Sequence, residues 1–176
     1  MLMVLTALAF LGLGQEPKPP GDFSFRLEYG LCTTDVLDTF QGVFVRDLGR
    51  TVPAVSIPLA LSQESFDQAY RAVVAADFFN YTADFRTTSK STCTGTPNAS
   101  GGGTVSCSGI RGFAPAHHYR LTVRDAGVTH TVSWHDNIAP STQEAIRLRH
   151  MLNVIVELIR ALPQVQRLPL AQVGCT

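Results

Sequence analysis

Residues 119–134 read YRLTVRDAGVTHTVSW, and this stretch decides the fold. Tyr119, Leu121 and Val123 alternate with Arg120, Thr122 and Arg124; Val128, His130, Val132 and Trp134 alternate with Thr129, Thr131 and Ser133. Period two marks a half-buried strand, because successive side chains point to opposite faces. The two runs meet at Ala126 and Gly127, so they form a hairpin. A two-residue loop puts both apolar sets on one side, with Tyr119 facing Trp134 and Leu121 facing Val132. A three-residue loop would oppose apolar to polar throughout. The two-residue register leaves His118, Arg120, Thr122, Thr129, Thr131, Ser133 and His135 together on the other face.

Working outward, Phe23, Phe25, Leu27 and Tyr29 alternate with Ser24, Arg26 and Glu28 and predict another strand. Residues 36–46 read as a second extended stretch with a bulge at Gly42, and 52–59 as a third that Pro53 and Pro58 confine to an edge. Ser62 is the expected N-cap of a helix with Glu64 in its first turn, continuing through Phe66, Ala69, Tyr70, Val73, Val74 and Asp77 to Phe79 or Asn80. After the hairpin, Ser141 and Glu144 form a capping box. Leu148, Met151, Leu152, Ile155, Leu158, Ile159 and Leu162 then follow at helical spacing until Pro163. The pattern predicts an α+β fold: an antiparallel sheet of about four or five strands with two helices packed on one face.

The first fourteen of the 176 residues contain only apolar side chains, glycine and one threonine, and polar residues follow at once. That run is too short to span a bilayer but suits the apolar core of a signal peptide. It lacks the usual basic start, so a retained anchor or a buried N-terminal helix stays open. The expected organisation is a signal peptide over 1–14, a proline-rich linker over 15–21 and one domain over 22–176. That domain carries a Gly/Ser/Thr-rich loop at 86–116 with little structure of its own. Export implies a secreted or periplasmic protein with no membrane span once the signal is cleaved. Lys plus Arg and Asp plus Glu each number 14, with no basic cluster, so nucleic acid is not expected as a partner.

Cys32, Cys93, Cys107 and Cys175 are an even set that suits an oxidising compartment, and three pairings are possible. Joining Cys93 to Cys107 would close a 15-residue ring around the glycine-rich loop, worth roughly 3 kcal/mol in the chain-entropy model. Cys32 would then pair with Cys175. Four free thiols are the other reading. The spacings do not suit zinc.

The sharpest polar feature is the group His117, His118, His130 and His135 with Asp136. The hairpin makes His118 and His135 cross-strand neighbours, able to share a metal with Asp136 or to stand as an exposed pair on a solvated face. The second reading fits the absence of HExxH or Cys/His spacings. Asp35 and Asp38 can be framed as paired carboxylates. The plainer expectation has Asp35 turning the backbone after Cys32 and Asp38 facing solvent. Neither a GxSxG elbow nor a phosphate-binding loop occurs, and Gly101 to Gly103 serves as spacer. Asn80-Tyr81-Thr82 and Asn98-Ala99-Ser100 match the glycosylation sequon.

Tyr29-Gly30-Leu31-Cys32, Thr34 to Phe40, Ile57-Pro58-Leu59, Asp77-Phe78-Phe79 and Val132 to Asp136 together resemble a family of uncharacterised bacterial exported or lipoprotein-like α+β domains. The resemblance covers most of residues 22–162 and implies export without implying an activity. The order of elements is also similar to small α+β inhibitors of thermolysin-type metalloproteases. The functional expectation is a non-catalytic exported domain that binds a protein or envelope component and needs no cofactor. Its expected contact is the 93–107 loop or a polar hairpin face of His118, Arg120, Thr122, His135 and Asp136. The alternative is a small hydrolase or metal-dependent enzyme using His118, His135 and Asp136.

Overall fold

A computed structural model describes residues 17–85, 92–97, 103–108, 117–136 and 142–171, with backbone alone at 92–97, 103–108 and 136. The expected signal segment, the Asn98 sequon, Ser141 and Cys175 lie outside these residues. In chain order the elements are β1 (Ser24–Gly30), β2 (Asp35–Asp38), β3 (Val43–Arg46), β4 (Val55–Pro58), α1 (Gln63–Ala75), β5 (Thr92–Pro97), β6 (Gly103–Ser108), β7 (His117–Asp125), β8 (Val128–Asp136), α2 (Gln143–Arg160) and α3 (Pro163–Gln166).

Six strands form one antiparallel sheet in the order β4-β3-β2-β1-β7-β8, and β5 pairs with β6 in a separate ribbon. The chain is thus α+β, with its two main helices packed against each other. The β7–β8 hairpin has the two-residue loop that alternation requires: Asp125 pairs with Val128, Tyr119 with Trp134 and Leu121 with Val132. Ala126 and Gly127 have φ of 48° and 80°, the left-handed pair of a type I′ turn.

The sixth strand comes from residues 36–46, which do not run through. A turn at 39–42 separates β2 from β3, and Asp38 faces Val43 across it. Gly42, at φ 66°, closes this turn instead of marking a bulge. The 86–116 segment also departs from expectation, because residues 92–97 and 103–108 pair along their length. Alternating threonines at 92, 94 and 96 suit a strand even in a glycine-rich setting.

Both helices begin on side-chain caps. Ser62 Oγ accepts from the Ser65 amide, as expected. On α2 the cap is Thr142, whose side chain accepts from the Ala145 amide, one residue later than the Ser141 box predicts. This start brings Ala145, Leu148, Leu152, Ile155 and Ile159 onto the buried stripe. Helix α1 ends earlier than its periodicity suggests: Asp77 turns left-handed at φ 57°, and Phe78–Asn80 continue as a single 3-10 turn.

One core joins the layers. Phe25, Leu27, Leu37, Phe44 and Leu121 of the sheet meet Val73 of α1 and Met151 and Ile155 of α2, all buried. Each such side chain contributes roughly 1.5–3 kcal/mol on leaving water. The opposite face of the sheet carries the polar half of the alternation on β1, β7 and β8, and Val36, Val43 and Val45 on β2 and β3. Both edges are blunted. Pro53 precedes β4 and Pro58 ends it, and the outer edge of β8 is met by residues 83–85, with Phe85 N donating to Ser133 O at 3.0 Å and Ser133 N to Ala83 O at 2.8 Å.

Candidate functional site

Strand alternation builds two surfaces from the same residues, one on each side of the sheet. On the open side, β7 and β8 bring His118, Arg120, Thr122, Thr131, Ser133 and His135 together. The His118 and His135 rings lie 5.9 Å apart, and Thr122 Oγ1 meets Thr131 Oγ1 at 2.9 Å. Arg120 is exposed and has no partner among the described residues. Its neighbour across β1, Glu28, is turned to Arg26 at 3.1 Å, and Arg26 also meets Asp38 at 3.1 Å. Asp38 is therefore only 4% exposed beneath that guanidinium, and not solvated as its strand position suggests. Arg124 lies 5.0 Å over the Phe40 ring.

Not every expected residue joins this face. The backbone register places Asp136 opposite His117, one step out of phase with His118 and His135. His130 belongs to the core side, its Nε2 2.9 Å from Tyr81 O and its ring against Phe78 and Phe79. Asp35 and Asp38 fall on opposite faces of β2: Asp38 meets Arg26 on the open side, and Asp35 meets Arg46 on the helix side. No group of three or more His, Cys, Asp or Glu able to hold a metal occurs among the described residues.

The helix side ends in a row on successive strands, Arg46, Asp35, Tyr29, Tyr119 and Trp134; alternation places the three aromatic residues on this side, whereas Asp35, expected to turn the backbone after Cys32, lies in β2 and pairs with Arg46. Tyr119 and Trp134 stack at 5.3 Å, with His117 stacked on Tyr119 at 6.0 Å. Beneath the C-terminal half of α2 this row opens into a cavity of about 270 Å³, walled across from Tyr29 and Asp35 by Leu152, Asn153, Val156 and Glu157. Asp35 Oδ2 lies 3.1 Å from Arg46 Nε, and its Oδ1 accepts from the Asp47 amide at 3.1 Å. The buried Arg46 N–H is within ion-pair distance but not aimed for a hydrogen bond. Burial pushes the Asp35 carboxyl above its ordinary range, an effect Arg46 only partly offsets. Burial, reinforced by Asp35, pushes the Tyr29 phenol up to about 12.

The 30–34 turn beside this cavity is fixed by contact. A Cβ on Gly30 would sit 1.7 Å from Thr33 O, and Asp47 Oδ2 accepts from Thr34 N at 3.0 Å. A second, more open hollow of about 330 Å³ lies by Tyr81, Phe85, Glu144 and Arg147. Tyr81 donates to Glu144 O at 2.8 Å there, and Asn80 of the first sequon donates to Asp77 at 2.8 Å. The first cavity was not foreseen because Asn153 lies more than a hundred residues after Tyr29 and Asp35 in sequence. The one local signal was the pair of tyrosines at the polar ends of two apolar alternations.

Comparison with family models, with curated proteins and with solved structures finds no match to this chain.

Proposed function

We propose that this protein is an exported, non-catalytic binding module that presents the open face of its sheet to a protein partner. The observation that carries the reading is the contrast between the two faces around β7. One is packed against α1 and α2 apart from the cavity at its His117–Tyr119 end; the other offers an exposed Arg120 without a partner among the described residues, beside a threonine pair and two histidines. Glu28 and Asp38, the nearby acids, are both engaged by Arg26, so the face meets a partner with arginine and histidine. An acidic protein surface complements it. The blunted edges favour docking on the face over addition of a strand.

Export and two disulfides belong to the same proposal. Cys93 and Cys107 are direct cross-strand partners, at the roughly 4.5–5.5 Å Cα spacing that antiparallel pairs have and disulfides accept. Cys32 is disulfide-bonded, and Cys175 is its proposed partner. No helix among the described residues is long and apolar enough to cross a membrane.

The experiment is a pull-down from bacterial envelope extract with the wild type, Arg120→Glu and a variant lacking residues 98–102. A partner held by the wild type and the loop variant but lost with Arg120→Glu supports the sheet face. Loss only with the loop variant moves the contact to the ribbon. Equal capture by all three rejects both surfaces.

A further inference from the structure

We propose that the cavity between the polar end of the sheet and α2 binds one ring of a neutral, polyhydroxylated ligand, that is, a single sugar unit. Its walls differ in kind. Leu152 and Val156, 2% and 8% exposed, form an apolar side, while Tyr29 and Asp35 form a polar side facing it. A pyranose ring has the same division, a C–H surface and an edge of hydroxyls that both donate and accept.

The polar groups are available in both senses. Neither the Tyr29 hydroxyl nor the Asn153 amide has a hydrogen-bond partner among the described residues, and together they offer donors and acceptors. The charges are already balanced. Asp35 is paired with Arg46 at 3.1 Å and Glu157 with Arg160 at 2.9 Å. A ligand with net charge therefore meets no unpaired carboxylate or guanidinium, and His117, the other basic side chain in the lining, is stacked on Tyr119, whereas hydroxyls can bridge the ion pairs. At about 270 Å³ the cavity falls just below the roughly 300–1,000 Å³ typical of drug-sized ligands, which fits one ring better than a chain of them. The floor is preformed: Asp47 N donates to Asp35, and Thr34 N donates to Asp47. This site lies across the sheet from Arg120, so the two proposals stand or fall separately.

The test is a ¹H–¹⁵N NMR titration of the whole protein with methyl glucoside, and in parallel with glucuronate, glucosamine and glycine. Methyl glucoside is expected to shift the amides of Gly30, Thr33, Asn153 and Glu157 saturably. Asn153→Leu, on the exposed side of α2, and Tyr29→Phe, which removes one hydroxyl, should each weaken binding by about tenfold while keeping a folded spectrum. Gln164→Ala, on α3 and away from the cavity, should leave it unchanged. Any one of four results overturns the proposal: no saturable shift with methyl glucoside at tens of millimolar; shifts elsewhere; affinity unaffected by both cavity variants; or tighter binding of glucuronate, glucosamine or glycine.

Discussion

The carboxylate of Asp22 accepts the backbone N–H of Gly127 at 2.7 Å, and that of Ala126 at 3.1 Å, so the residue just before β1 clamps the turn of a hairpin a hundred positions away. Two amides that would otherwise face water are fixed by one charge. Asp22→Ala is expected to destabilise the protein by about 1 kcal/mol, since the turn is exposed. Ala126→Asn should stabilise it by about 0.5–1 kcal/mol, because asparagine tolerates the left-handed φ of 48° better than alanine. Urea unfolding measures both. A neutral Asp22→Ala together with a destabilising Ala126→Asn would contradict this view of the turn.

Gly30 has no room for a side chain. Its Cβ would lie 1.7 Å from the Thr33 carbonyl oxygen, a backbone atom that cannot swing away. Gly30→Ala is expected to cost about 2–3 kcal/mol and to move the 31–34 turn at the mouth of the cavity. Gly21→Ala, with open space around it, should change stability by less than about 0.5 kcal/mol. The pair of urea midpoints checks the difference.

Tyr29 should ionise well above the ordinary tyrosine range on raising pH. Burial first, then Asp35, lifts its phenol from 10.0 to about 12, while Arg46 and Arg160 pull in the other direction. The folded state therefore holds this proton more tightly than the unfolded chain does. The associated stability is fully present below pH 10 and is lost as pH rises from 10 towards about 12. The tyrosinate absorbance of the wild type minus that of Tyr29→Phe should show one group titrating near 12. A difference centred at 10 would remove the desolvated phenol from the account.

Cys93 and Cys107 face each other in the β5–β6 ribbon, so their disulfide is expected to form without rearrangement. Mass spectrometry of the intact protein should show two disulfides, with one peptide pair joining Cys93 to Cys107. Replacing both residues by serine should lower stability by up to roughly 3 kcal/mol. A protein isolated from the envelope with four free thiols would refute the pairing and weaken the case for export.

The β7–β8 hairpin was legible in the sequence because alternation on both strands and a glycine at the turn constrain the same register. The split of residues 36–46 was not, because what divides it is distant: Thr39 Oγ1 donates to Phe25 O at 2.8 Å and accepts from Phe25 N at 2.7 Å, across fourteen residues. Asp38 looked solvated for a similar reason, since the arginine that covers it lies twelve residues earlier. The α2 cap falls one residue later than the Ser141 box predicts because serine and threonine, both good capping residues, stand side by side, and the cap bond is the one from Ala145 N to Thr142. Tyr29 and Tyr119 were read correctly as facing the helices. That their row outlasts the apolar core and leaves a cavity depends on where α2 crosses the sheet, which no local pattern encodes.

The central claim, that the open sheet face meets a protein partner, is tested most directly by placing a photo-crosslinking amino acid at Thr122, on that face, and separately at Gln63, exposed at the start of α1. The protein is expressed with its N-terminal segment in a bacterial envelope and irradiated in whole cells. The account predicts a discrete protein adduct from position 122 that disappears when Arg120 is also changed to glutamate, and none from position 63. No adduct at 122, or the same adduct from both positions, would contradict it.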